Sequence, residues 1–334
     1  MACHVSTLKM LNTFTYNKIY AKIKESKNVL LVCHERPDGD ALGSMCAMIE
    51  LLENLNERGS KKNYFAYCAD APSLNFYYLP HIEKISSDKS KFKFADFDLI
   101  IALDCGDLRR TRLIEEIKNR NTSQLVINID HHPKIDDFAD LEIKNPEAAS
   151  TTELIYDFFK ENRIKFNKKI ANCILTGISV DTGNFLYPST TDKTIQISSE
   201  MLSYGASFPK ILERIWTNRS LAGLKVLGRA MNNLEMNKKY NLAFTVLTLE
   251  DTEGASEDDL EGISNFLGNL RGVKAVLILF EKPDGKIKGS IRSSDPKADI
   301  SLLACELGGG GHAKAAGFTI EAKIEKTNGK WKIK

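Results

Sequence analysis

The chain has 334 residues, 43% of them apolar, and sets 46 Lys and Arg against 44 Asp and Glu for a formal net charge of +2. This is enough to bury ordinary cores, its length suggests about two domains, and so balanced a charge excludes a molecule that attracts long nucleic acid over its whole surface. No apolar run approaches the ~18 residues needed to cross a bilayer, and the opening MACHVSTLKMLNTFTYNKIY is too polar for a signal-peptide core, so no membrane partner is expected.

In chain order, VLLVC (29–33) reads as a buried strand and LGSMCAMIELLENL (42–55) as a helix. FAYCAD (65–70), FDLIIALD (97–104) and LVINID (125–130) are further strand-length runs, alternating with the helical stretches TRLIEEIKNR and TELIYDFFKENR. Strands apolar on both faces and flanked by helices predict an α/β fold with a mostly parallel sheet covered on both sides. NKKIANCILTGISVDTGNF (167–185) predicts a helix leading to a turn that presents Asp181, and KTIQISSEMLSYGA predicts another. The span 208–238 looks helical and serves as a linker between a first domain, 1–207, and a smaller α/β domain, 239–334. In the latter, YNLAFTVLTLE, VKAVLILF and GKIKGSIRS read as strands, DDLEGISNFLGNL as a helix, and Asp284-Gly285 as a hairpin turn. ADISLLACELGGGGHAKAAGFTI predicts helix, glycine run, short helix and strand, and the lysine-rich tail a solvated end strand. Seven scattered cysteines without a CxxC pair read mainly as small buried hydrophobes, and a reducing cytoplasm is the expected location.

Three of the strand runs end at acidic residues or histidine, and the carboxyl ends of parallel strands are where ligands sit. The candidates gathered there are His34, Asp38, Asp40, Asp104, Asp107, Asp130, His131, His132 and Asp181. Mixed imidazole and carboxylate donors suit Mn, Fe, Co or Zn better than Mg or Ca, and so many carboxylates suggest two ions. Each residue also has a plain structural reading: Asp38-Gly39 is a turn signal, and Asp40 could cap the helix beginning near Ala41. Asp104 and Asp130, behind buried strands, are harder to explain without a partner, as are the adjacent histidines of IDHHP.

HERPDGDALGS, the Asp ending LIIALD, IDHHP and SVDTGNF resemble four ordered motifs of the DHH phosphoesterase superfamily, and the distal RSS and GGGGHAKAAG resemble its DHHA1 domain. The resemblance runs from about residue 25 to 320 and is nearest the stand-alone NrnA-like oligoribonuclease and cyclic or linear dinucleotide phosphodiesterase group. It implies two Mn2+ per subunit, with Co2+, Fe2+ or Mg2+ as substitutes. His34 and Asp38 would hold one ion, Asp40, His131 and Asp181 the other, with Asp104 bridging both. Asp104, Asp130, His131 and His132 are implied as catalytic, with Asp130 orienting a ligand and His132 facing the phosphoryl group. Arg292, Ser293, the glycines 308–311 (Gly309, Gly310 and Gly311 above all) and His312 would hold the far end of the substrate. Arg109 and Arg110 read equally as phosphate contacts or as an exposed helix start.

The implied activity is hydrolysis of short RNA oligonucleotides and linear dinucleotides such as pApA to mononucleotides. Cleavage of cyclic di-AMP and removal of the 3′ phosphate of adenosine 3′,5′-bisphosphate stay open as alternatives. An inorganic pyrophosphatase and a non-catalytic nucleotide sensor are the readings outside that group. Similar proteins are often homodimers, although core packing accounts for the aromatic residues of TELIYDFFKENR more simply.

Overall fold

The computed structural model describes residues 2–217, 220–295, 297–327 and 330–334; the side chains of 2–12, 216–217, 257–258, 261, 312 and 330 lie outside the description. The chain forms two compact units, divided between Thr217 and Asn218.

The first unit runs α1 (Ala2–Glu25), β1 (Asn28–Cys33), α2 (Gly39–Glu57), β2 (Asn63–Tyr67), β3 (Ile85–Ser86) and β4 (Leu99–Leu103). It continues with α3 (Ile114–Lys118), β5 (Leu125–Asp130), β6 (Leu141–Lys144), α4 (Thr151–Glu161), α5 (Lys168–Asp181), α6 (Asp192–Ser203) and α7 (Phe208–Leu212). All six strands are parallel, in the order β3-β2-β1-β4-β5-β6. The chain leaves β1 toward one edge and returns on its other side as β4, so the strand order reverses between these neighbours, where an open α/β sheet has its crevice.

Val29 to Cys33 are fully buried because both faces of the strand are covered. Val29, Leu31 and Cys33 join a core with α2, α4 and α5, whereas Leu30 and Val32 join one with Ile117 of α3 and Leu108. That two-sided demand is why the strand reads as an unbroken apolar run.

The second unit contains α8 (Leu221–Asn232), β7 (Glu235–Asn237), β8 (Leu242–Leu247), α9 (Glu257–Leu267), β9 (Ala275–Glu281) and β10 (Lys286–Arg292). After these come α10 (Ser301–Glu306), β11 (Gly310–His312), β12 (Ala315–Glu321) and the hairpin β13 (Ile324–Thr327) and β14 (Lys330–Ile333). Its mixed sheet has the order β11-β12-β10-β9-β8-β7, with only β8 and β9 parallel.

The α/β architecture matches the expectation from sequence, with three local corrections. The stretch 208–238 does not stand as one helical span: α7 belongs to the first unit, α8 to the second, and Glu235–Asn237 is a strand. HAKAAG forms no helix. Gly310–His312 and Ala315–Glu321 are antiparallel partners, and seven residue pairs between β12 and β10 override the helical preference of Ala and Lys. The lysine-rich tail is a two-stranded hairpin rather than a single end strand. Among the described residues, no helix is long and apolar enough to cross a membrane.

Candidate metal centre

Sheet register delivers the first donors. Cys33 pairs with Leu103 and Leu103 with Ile129, so His34, Asp104 and Asp130 come side by side at the carboxyl ends of β1, β4 and β5. Asp104 then leaves the strand in a left-handed conformation, φ 56°, while its N–H still donates to Ile129 O at 3.0 Å. Aspartate tolerates this region better than most residues, and such local strain typically costs about 1–3 kcal/mol, held in place by the surrounding bonds.

Helix ends supply the rest. The N-cap of α2 is Asp38, whose carboxylate accepts from Asp40 N (3.0 Å) and Ala41 N (3.1 Å). Asp40 does not cap its own helix. It lies in the first turn of α2 and reaches the start of α4, accepting from Thr151 N (2.6 Å), Thr152 N (2.9 Å) and the Thr152 hydroxyl (2.8 Å). Free N–H groups at a helix start favour an anion there. Asp181 is the last residue of α5, and its Oδ2 lies 3.1 Å from His131 Nε2. Close packing of α2 on α5 makes the meeting possible, since a Cβ at Gly43 would stand 2.6 Å from Cys173 O, and one at Gly177 would stand 2.3 Å from Asp40 Oδ1.

Three overlapping groups result, each with donor atoms within 4.8 Å of one another: His34, Asp38 and Asp104; Asp40, His131 and Asp181; and Asp104, His131 and His132. Asp104 faces all three histidines, with contacts of 3.7 Å to His34 Nε2, 3.7 Å to His131 Nε2 and 3.4 Å to His132 Nδ1. Asp130 belongs to none of the groups. It accepts from Gly106 N and pairs with Lys144, both at 3.1 Å, and holds His132 through its ring Nδ1 at 2.8 Å.

The electrostatics describe a cluster short of positive charge. Burial pushes the Asp40 carboxyl well above its ordinary range, and Asp104 and Asp181 add to it. Burial also pushes Asp181 up to about 6, against the pull of His131. Burial opposes charge on His34 and His132 too, but the carboxylates beside them prevail: Asp104 and Asp38 raise His34 to about 10, and Asp104 and Asp130 raise His132 to about 9. Burial works against charge on Asp104 as well, but the imidazoles of His132 and His34 beside it hold its carboxyl well below the usual range. Burial and mutual repulsion thus make the carboxylates favour a bound cation, and the mixed nitrogen and oxygen donor set fits first-row divalent ions.

Not every candidate joins the cluster. Asp107 caps the turn Leu108–Thr111 and pairs with exposed Arg109. Arg110 turns inward, with Nη2 2.9 Å from His34 Nδ1. In the second unit, Arg292 donates from Nε and Nη2 to Asn265 Oδ1, both at 3.1 Å, while the Ser293 hydroxyl donates to Lys274 O at 2.5 Å. The glycine run has a packing reason: a Cβ at Gly309 would meet Gly317 O at 2.0 Å, and one at Gly311 would meet Ala315 O at 2.5 Å, whereas Gly310 has open space. The side chain of His312 lies outside the described residues; its backbone pairs with Ala315.

Sequence reasoning missed Thr151, Thr152 and Lys144. Ser150-Thr-Thr-Glu153 does carry the signature of a helix start, and Ser150 Oγ accepts from Glu153 N at 3.1 Å, which locates free N–H groups without saying what they receive.

Comparison with known proteins matches residues 28–178 to the DHH family, N-terminal domain, and residues 239–329 to the DHHA1 domain. The chain is 32% identical over 298 residues to the bifunctional oligoribonuclease and PAP phosphatase NrnA of Bacillus subtilis, covering 87% of this chain and 89% of that protein. The protein of the same name from Thermus thermophilus is 28% identical, covering 88% and 84%. Among solved structures, an exopolyphosphatase-related protein from Bacteroides fragilis superposes with a TM-score of 0.80 at 28% identity, covering 91% of this chain and 90% of that one.

Proposed function

Because this chain belongs to the DHH phosphoesterase family, with a DHHA1 domain after the first, we propose that it hydrolyses short oligoribonucleotides and linear dinucleotides such as pApA to mononucleotides with the help of two Mn2+ ions. The observation that carries this reading is the chain of overlapping donor groups: Asp104 joins the His34 and Asp38 group to the His131 and His132 group, and His131 joins the latter to Asp40 and Asp181. His34 and Asp38 would hold one ion, Asp40, His131 and Asp181 the other, and Asp104 both. Bound divalent ions supply Lewis acidity and a water of lowered pKa, the two needs of phosphodiester hydrolysis.

The protein's own residues do the remaining work. Asp130 orients the ring of His132 by its Nδ1, the imidazole proposed to face the phosphoryl group, and Lys144 balances the charge of Asp130. In the second unit Arg292, oriented by Asn265, is the proposed anchor for a terminal phosphate, a task suited to its planar donor fork. The names of the curated relatives favour a second activity at the same centre, release of the 3′ phosphate from adenosine 3′,5′-bisphosphate.

The test is product analysis with Mn2+ and with EDTA on equal concentrations of pApA, a five-nucleotide RNA, cyclic di-AMP, adenosine 3′,5′-bisphosphate and pyrophosphate. Mononucleotides from pApA and the short RNA, and phosphate from the bisphosphate, are expected only with metal. Preference for cyclic di-AMP or pyrophosphate would replace the proposed substrate. Binding without turnover of any of them would make the protein a sensor.

Proton linkage gives a second expectation. Without metal, the raised groups stabilise the fold at low pH and lose that contribution as pH climbs, for Asp181 between 3.8 and about 6 and for His34 between 6.5 and about 10. A donor must also release its proton to hold an ion, so affinity rises over the same range. Saturating Mn2+ should therefore raise the melting temperature more at pH 8.5 than at pH 6. Equal shifts in calorimetric melts would contradict the assignment of these donors.

A further inference from the structure

Thr151 opens α4 and is fully buried, yet its hydroxyl and its N–H are both engaged with the cluster. Its hydroxyl donates to Asp104 Oδ1 at 2.8 Å and accepts from His131 N at 3.3 Å, and its own N–H donates to Asp40 Oδ2 at 2.6 Å. One residue thus touches all three donor groups: Asp104 of the first and third, His131 of the second and third, and Asp40 of the second.

We propose that Thr151 is a positioning residue that fixes the carboxylate of Asp104 relative to the Asp40 and His131 donors, in the place where it would serve both ions of the proposed centre. The inference rests on the metal reading above. Its physical basis is the difference between the contacts that reach Asp104: His34 Nε2 and His131 Nε2 stand 3.7 Å from its oxygens, beyond hydrogen-bond range, whereas the Thr151 hydroxyl donates to Oδ1 at 2.8 Å from the fixed start of α4. The other oxygen of Asp104 then stays available, and the carboxylate cannot swing about its side-chain torsions to serve one ion at the expense of the other. Partners of this kind orient metal ligands and tune their affinity.

The substitution Thr151→Val keeps the shape and the N–H to Asp40 and removes only the hydroxyl, whereas Thr151→Ser keeps the hydroxyl and removes the methyl. Mn2+ titration calorimetry on the full chain should show Thr151→Val binding about 10- to 100-fold more weakly, with Thr151→Ser close to the parent. Thr151→Ala removes the hydroxyl without adding a second buried methyl and serves if the valine variant does not fold. Parental affinity in Thr151→Val and Thr151→Ala would overturn the proposal. So would an equal loss in Thr151→Ser, because packing rather than the hydroxyl would then be responsible. A parent protein that binds no divalent ion would instead overturn the metal reading itself.

Discussion

Alanine at position 104 is expected to abolish metal-dependent hydrolysis, with a loss beyond the ~10²- to 10³-fold cost of deleting a single preorganised donor. Asp104 and His131 each belong to two of the three donor groups, and Asp104 faces all three clustered histidines. Its removal would leave neither ion with a complete set and take away the anion that keeps His34 and His132 charged. Stability should change less than activity, because the loss of the His34 and Thr151 contacts is offset by relief of repulsion on Asp40 and Asp181. Asparagine separates the two effects. Asp104→Asn keeps an oxygen for the Thr151 hydroxyl and a side chain suited to the left-handed backbone, so circular dichroism should match the parent while turnover stays lost. Two Mn2+ ions bound to either variant as tightly as to the parent, measured by calorimetry, would refute the bridging role.

Gly177→Ala should cost both the fold and the centre, although it adds a single methyl group far along the sequence from the first motif. That methyl would stand 2.3 Å from Asp40 Oδ1 and 2.3 Å from Thr152 Oγ1. Neither neighbour can move freely, since Asp40 Oδ1 is bound by Thr152 N and by the Thr152 hydroxyl itself. The helices must part or the carboxylate must turn out of its site. Overpacking of this kind costs ~1–3 kcal/mol, and the displaced Asp40 would weaken the second ion in addition. The expected pattern is a lower melting point together with a loss of metal stoichiometry from two toward one. A variant that melts earlier but still binds two ions would show that α2 and α5 adjust without disturbing Asp40.

The readable parts of this molecule are those where a local pattern carries a global demand. β1, β4 and β5 announce themselves because burial on both faces requires unbroken apolar runs, and a charged or imidazole residue directly behind such a run stands out. Spacing alone does not assign the donors to groups; that grouping is what the family resemblance implies. Thr151 escaped notice because its link to Asp40 spans 111 residues and uses a backbone N–H that every residue but proline owns. Lys144 is equally silent, an ordinary lysine in a short strand until β6 pairs beside β5 and places it on Asp130. HAKAAG misled for the opposite reason: its composition favours a helix, whereas the deciding interaction is the partner strand β10.

The left-handed turn at Asp104 and the helix end at Asp181 also fix an order in time. On the ribosome, residues 34, 38 and 104 leave the exit tunnel well before residue 181, so a growing chain can complete the first donor group while the second still lacks a member. The second group waits for α5 to be made and docked through Gly177 onto α2. Under the two-ion reading proposed above, the later ion would be captured only once α5 has arrived, while α6, which adds Ile197 and Met201 to the same core, is still to come.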